Sequence, residues 1–149
     1  MKNVHSKSPL RLGLSGGGTD VSPYSEVYGG YVLNATISLF THCEIIVNEN
    51  KGISFTASDF NVNLKYNIDQ KIELKGDLIL HKAVYNAIMR DYNDSINIAL
   101  SILTFSDVPP GSGVGASSSL VVSMVNAYNK LLNLNLSKYE IAKYAFNIE

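Results

Sequence analysis

Apolar and polar or small positions alternate along Leu10-Arg-Leu-Gly-Leu14, which predicts a half-buried strand that Ser15-Gly-Gly-Gly-Thr-Asp20 cannot continue. The strand therefore runs into a glycine loop. Beyond Gly29-Gly30, residues Tyr31 to Asn48 are rich in Val, Ile, Thr and Phe and predict one or two strands; Ile53 to Ile68 reads as further strand with a polar turn at Ala57 to Asn61. From Leu78 the apolar residues Ile79, Ala83, Val84, Ala87 and Ile88 recur every three or four positions, so an amphipathic helix is expected to end near Asn93-Asp94. Alternation returns at Ile96, Ile98, Leu100 and Ile102 and predicts a strand reaching Phe105. Ser117 to Leu132 is apolar around much of a helix and hence buried, and Ser137 with Glu140 has the spacing of a capping box that opens a last helix reaching Glu149.

Composition narrows the class. Of 149 residues, 46% are hydrophobic and 17% charged, which a folded core requires and a charge-rich disordered chain lacks. At this length one compact core is expected. A net charge of -1 supplies no global field for nucleic acid or anionic membrane, so neither is an expected partner and any phosphate site must be local. The single Cys43 cannot form an internal disulfide, no signal peptide is visible, and no uncharged stretch approaches the ~20 residues of a membrane span; the expectation is a cytoplasmic protein.

The most specific stretch is Pro109-Pro-Gly-Ser-Gly-Val-Gly-Ala-Ser-Ser-Ser119, between a predicted strand and a predicted helix. Glycines at 111, 113 and 115 permit positive φ and let successive backbone N–H groups converge on an anion, and the free N–H groups of a following helix add to them. Ser117 or Ser118 would place a hydroxyl beside bound phosphates, where it could ligate Mg²⁺. No lysine follows as in GxxxxGK[ST], and the spacing is not GxGxxG, so Walker-type and ordinary dinucleotide sites are disfavoured.

These residues resemble the phosphate-binding motif of the GHMP kinase superfamily, roughly P-x-G-x-G-L-G-S-S-A-A. Near the N-terminus, Pro9-Leu-Arg-Leu-Gly-Leu-Ser-Gly-Gly-Gly-Thr-Asp20 and Tyr28-Gly-Gly-Tyr-Val-Leu-Asn34 look like the opening motif of its sugar-kinase branch. The resemblance implies an α+β fold, a mixed sheet packed against helices in the manner of a ribosomal-protein-type domain. It implies ATP held by Pro110, Gly111, Ser112, Gly113, Val114, Gly115, Ala116, Ser117 and Ser118, and Mg²⁺ held by Ser117 and Glu149. Arg11 would lie by the reacting hydroxyl, and Gly17, Gly18 and Asp20 would meet the sugar. The sequence departs from the family in having Ala116 where the first motif serine stands. It also carries Gly17-Gly18 where galactokinases carry Glu-His, which implies a wider pocket suited to a larger or phosphorylated sugar. The Gly-Gly-Gly-Thr-Asp variant, with Ile141-Ala-x-x-Ala-x-x-Ile-Glu149, looks most like bacterial D-glycero-D-manno-heptose 7-phosphate kinases, and then fucokinase-like enzymes.

The predicted final helix is still in register at Glu149, so residues 1–149 are expected to be an N-terminal ATP-binding domain, a fragment without its C-terminal domain. The family's catalytic aspartate would then lie past the chain end, and the piece alone would be nearly inactive. A catalytically inactive sugar- or nucleotide-binding module stays open as an alternative, as does a fucokinase- or galactokinase-like enzyme. Homo-oligomer formation is left open for apolar surface uncovered in a fragment. His5, His42 and His81 lack metal-ligand spacing and read as structural, Lys2 and Lys7 read as a solvated N-terminus, and Tyr24, Tyr28 and Tyr31 could line a sugar pocket or pack around a turn.

Overall fold

The computed structural model describes residues 2–48 and 52–149. Five strands, β1 (Asn3–Ser15), β2 (Leu33–Val47), β3 (Gly52–Ala57), β4 (Val62–Asn67) and β5 (Leu100–Ser106), form a mixed sheet in the order β1-β2-β5-β3-β4. Only β3 and β5 pair in parallel. The helices are a short α1 (Tyr24–Tyr28), α2 (Ile79–Tyr92), α3 (Ala116–Leu132) and α4 (Lys138–Ile148). The α+β class expected from the sequence is what the chain adopts.

Strand alternation sends Leu10, Cys43, Ile45, Ile53, Phe55, Leu100 and Ile102 to one face, where they meet Val84, Tyr85 and Ile88 of α2 and Val121, Met124, Val125 and Tyr128 of α3. Helix α3 lies close behind β1 because the inward positions there are the small, buried Ser6 and Ser8. The helix is fixed along the strand by side-chain bonds: Ser119 Oγ donates to the Pro9 carbonyl (3.0 Å), Asn126 Nδ2 to Ser6 Oγ (2.8 Å) and Lys130 Nζ to the His5 carbonyl (3.2 Å). Helix numbers rise as strand numbers fall, so α3 runs antiparallel to β1. At α4 the Ser137–Glu140 capping box is formed reciprocally, and Tyr144 Oη donates to Asp91 at the end of α2 (2.8 Å).

Three local readings need correction. β1 begins at Asn3, seven residues before the apolar alternation starts, because serines hide the inward positions; Lys7 sits in that strand with its ammonium 4.2 Å from the Phe40 ring centroid, and Lys2 donates to the Leu131 carbonyl. Neither lysine belongs to a solvated tail. β5 starts at Leu100 because Tyr85 Oη bonds both the N–H and the carbonyl of Ile98 (3.1 Å each), taking the groups a ladder would need. Helix α1 has no buried residue and left no apolar period to read.

His81 is 2% exposed, and burial lowers its pKa to about 4. Thr104 Oγ1, 2.8 Å from His81 Nε2, can itself donate to the Thr56 carbonyl (3.4 Å), so Nε2–H is the donor to it and the ring is neutral. The unfolded chain binds the proton first, so this histidine's contribution to stability is complete above about pH 6.5 and is lost as pH falls towards 4. Chemical denaturation should show a loss on the order of 2 kcal/mol between pH 7 and pH 5. His81→Gln should flatten that slope; equal slopes in both proteins would place the dependence elsewhere.

Candidate functional site

Two glycine loops and one glycine-serine loop meet at the end of β1. Thr19 ties the first two together: its hydroxyl donates to the Gly16 carbonyl (2.7 Å) and accepts the Tyr31 N–H (3.1 Å). Backbones approach so closely that a Cβ at Gly16 would fall on the Tyr31 carbonyl and one at Gly30 on the Thr19 carbonyl. Around Gly17 and Gly18 the space is open, since an added Cβ would meet nothing within 4 Å. Asp20 is exposed beside them, as are Tyr24, Tyr28 and Tyr31. Tyr24 and Tyr28 pair with ring centroids 5.1 Å apart.

The third loop leaves β5 and returns to β1 before α3 begins. The Arg11 N–H donates to the Val114 carbonyl (3.1 Å), and the Arg11 side chain lies against Gly115, where an added Cβ would stand 3.0 Å from Nε and 3.3 Å from Cγ. The residues singled out at Arg11 and at 110–118 are therefore neighbours, although about a hundred positions separate them. Gly111, Gly113 and Gly115 have φ of +82°, +72° and +73°. Gly115 is the N-cap of α3 and offers no side chain, so nothing in the cap competes for the N–H groups of Ala116, Ser117 and Ser118. Ser117 is exposed, while Ser119, the third of the triplet, is buried and serves the structure by holding Pro9.

A cavity of about 420 Å³ opens beside this loop. Part of its lining is Pro110, Gly111, Ser112, Gly113, Gly115, Ala116 and Ser117; an apolar part is Phe60, Leu80, Phe105, Val108 and Leu120, with Asp59 among the lining residues. This amide-rich rim beside an apolar wall can hold an anion attached to a flat, apolar group. Sequence reasoning missed that wall: its residues come from the turn after β3, α2, the end of β5 and α3, which only the topology gathers. Arg11, Gly17, Gly18, Asp20 and Glu149 do not line the cavity. Glu149 is exposed at the end of α4. Among the described residues no group of three His, Cys, Asp or Glu could hold a metal, so a cation here would need oxygens from its ligand besides Ser117.

Residues 79–149 match the family model described as GHMP kinases N terminal domain. The chain is 46% identical over all 149 residues to a D-glycero-alpha-D-manno-heptose 7-phosphate kinase of Campylobacter jejuni, and covers 44% of that protein. It superimposes with a TM-score of 0.91 on the crystal structure of a D-glycero-D-manno-heptose 1-phosphate kinase of Bacteroides thetaiotaomicron, at 44% identity over 98% of this chain and 47% of that one. The mevalonate kinase of Methanococcus jannaschii shares the fold at a TM-score of 0.78 and 23% identity, over 99% of this chain and 46% of that one. The chain thus spans less than half the length of these relatives.

Gly115→Ala tests the contact between Arg11 and the loop. A left-handed alanine costs about 1–2 kcal/mol, and here its Cβ would also push on Arg11. Gly113→Ala carries the same φ cost in open space. In denaturation experiments Gly115→Ala should be the more destabilising of the two, and in an Arg11→Ala background the difference should vanish. A difference that persists without the arginine side chain would assign it to the backbone alone.

Proposed function

The chain belongs to the GHMP kinases, whose N-terminal domain it carries, and we propose that it is the ATP-binding part of a sugar kinase acting on a heptose phosphate. The supporting observation is the Arg11–Gly115 contact, which joins a glycine-serine loop suited to phosphates with the strand that leads into the Gly17-Gly18-Thr19-Asp20 loop. The triphosphate lies along residues 110–118, received by backbone N–H groups and the N-terminal end of α3. The apolar wall from Phe60 to Leu120 takes the base. Ser117 would contribute a hydroxyl to Mg²⁺, and Glu149, exposed at the end of α4 outside the cavity lining, would be the further ligand; the cation would neutralise phosphate charge. Arg11 stabilises negative charge at the transferred group, and Asp20 accepts hydrogen bonds from sugar hydroxyls in the open space at Gly17 and Gly18.

A catalytically inactive nucleotide- or sugar-binding module is the second reading. It is favoured by the cavity lining, where among the described residues Asp59 is the lone carboxylate. Turnover separates the two. ATP with Mg²⁺ should bind the chain, and Ser117→Ala should weaken that binding about tenfold in titration calorimetry, the effect of losing one charge-assisted contact. An ADP-release assay of the full-length protein that carries this chain should respond to a heptose 7-phosphate or 1-phosphate before fucose, galactose or mevalonate. Turnover with mevalonate alone would overturn the roles given to Arg11 and Asp20, and nucleotide binding without turnover on any of them favours the module.

A further inference from the structure

The chain leaves the sheet for the glycine-serine loop at Asp107. The β2–β5 register ends at Thr41 opposite Ser106, which puts Phe40 opposite Asp107 as the next pair. In an antiparallel ladder such a pair exchanges two backbone bonds. Here the Asp107 N–H does donate to the Phe40 carbonyl (2.9 Å), but the Phe40 N–H donates to Asp107 Oδ2 (2.8 Å) rather than to the backbone carbonyl. The side chain thus closes the ladder while the main chain turns away towards Pro109. This is also where β2 bulges against β1: Pro9 pairs with Phe40 and Arg11 with Thr36, so two steps on one strand match four on the other.

The other carboxylate oxygen is held as well. His42 Nε2 lies 3.2 Å from Asp107 Oδ1, and His42 Nδ1 lies 3.3 Å from His5 Nε2. With the carboxylate as acceptor, Nε2 of His42 carries the proton donated to it, and Nδ1 pairs with Nε2 of His5. The His42 ring stacks on Phe105, centroids 4.4 Å apart and planes within 8°, and Phe105 is part of the cavity's apolar wall. One hydrogen-bonded chain on the outer face of the sheet therefore reaches the wall of the cavity and the root of the loop.

We propose that Asp107 is a positioning residue of the nucleotide site, its carboxylate standing in for a ladder carbonyl so that residues 110–117 leave β5 in the direction that faces the cavity, with His42 and His5 orienting it. This rests on the reading of that loop as a nucleotide site. Asp107→Ala frees the Phe40 N–H and the loop root together; Asp107→Asn keeps an oxygen for that N–H.

The test measures Mg²⁺–ATP affinity by calorimetry and amide exchange over residues 111–117 on wild type, Asp107→Ala, Asp107→Asn and His42→Phe, which keeps a ring on Phe105 but loses the donor. Asp107→Ala is expected to weaken ATP binding about tenfold and to speed exchange across the loop, with Asp107→Asn recovering to within about threefold and His42→Phe between them. A role in stability alone would lower the melting temperature of Asp107→Ala and leave the affinity of the folded protein unchanged, which would overturn the proposal, as would equal weakening in Asp107→Ala and Asp107→Asn. Should Asp107→Ala not fold, the ordering of the other two variants decides. Absence of ATP binding by wild type sinks the nucleotide reading itself, whereas wild-type binding with unaltered variants sinks only this inference.

Discussion

The first strand and the glycine-serine loop hold each other, and the arrangement of the whole site depends on that grip. The Arg11 N–H bonds the Val114 carbonyl, its side chain covers Gly115, and four residues later Ser119 bonds the Pro9 carbonyl. Each contact uses a group the sheet leaves free, since β1 is an edge strand that, among the described residues, pairs only with β2. An exposed edge ordinarily invites pairing with another chain; here its end is occupied by the loop. The close approach needs a residue without a side chain at 115, and this is also where α3 needs a left-handed start.

From that crossing the rest is set by packing. Helix α3 starts at Gly115 and must then run back along β1, and the small Ser6 and Ser8 beneath it permit this without a gap that larger residues would fill. Ser123 and Tyr128 on α3 and Cys43 on β2 have no exposure at all, so the helix cannot slide along the sheet without opening the core. The direction of the free N–H groups of residues 116–118 is therefore fixed by burial some fifteen Å of helix away, at ~1.5 Å per residue, rather than by the loop itself. A flexible-looking glycine sequence is thus held at both ends by rigid elements.

Much of this was legible in the chain. The apolar periods of α2 and α3 and the capping box of α4 were readable because each is a local pattern in the apolar and capping residues. The glycine-serine loop stood out for a similar reason: positive φ at 111, 113 and 115 is a backbone demand that glycine meets. What stayed hidden depends on contacts between distant residues. Nothing around Ser6 or Ser8 signals a strand until a helix is known to need room there, and Ile96 and Ile98 alternate as a strand would while Tyr85 takes the backbone groups of Ile98. The apolar wall of the cavity is scattered over residues 60 to 120 and has no common motif. Thr19 is the instructive intermediate, visible as part of a motif, though its bonds to Gly16 and Tyr31 required both glycine loops to be placed.

The loop contains no lysine, and the chain as a whole carries a net charge of -1, so an anion bound there must be balanced almost entirely by local groups. Backbone N–H groups and a helix terminus supply partial charges of about half an elementary charge, enough to orient a phosphate and too little to neutralise a triphosphate. Arg11 is the full positive charge packed against the loop, and it is exposed, so its field is weakened by solvent until the site is covered. A bound divalent cation would offset the remainder. As the proposed phosphate site, the loop would favour a metal-complexed polyphosphate over a free one, because the backbone gives direction, the arginine gives one charge, and the ligand must bring the rest with it.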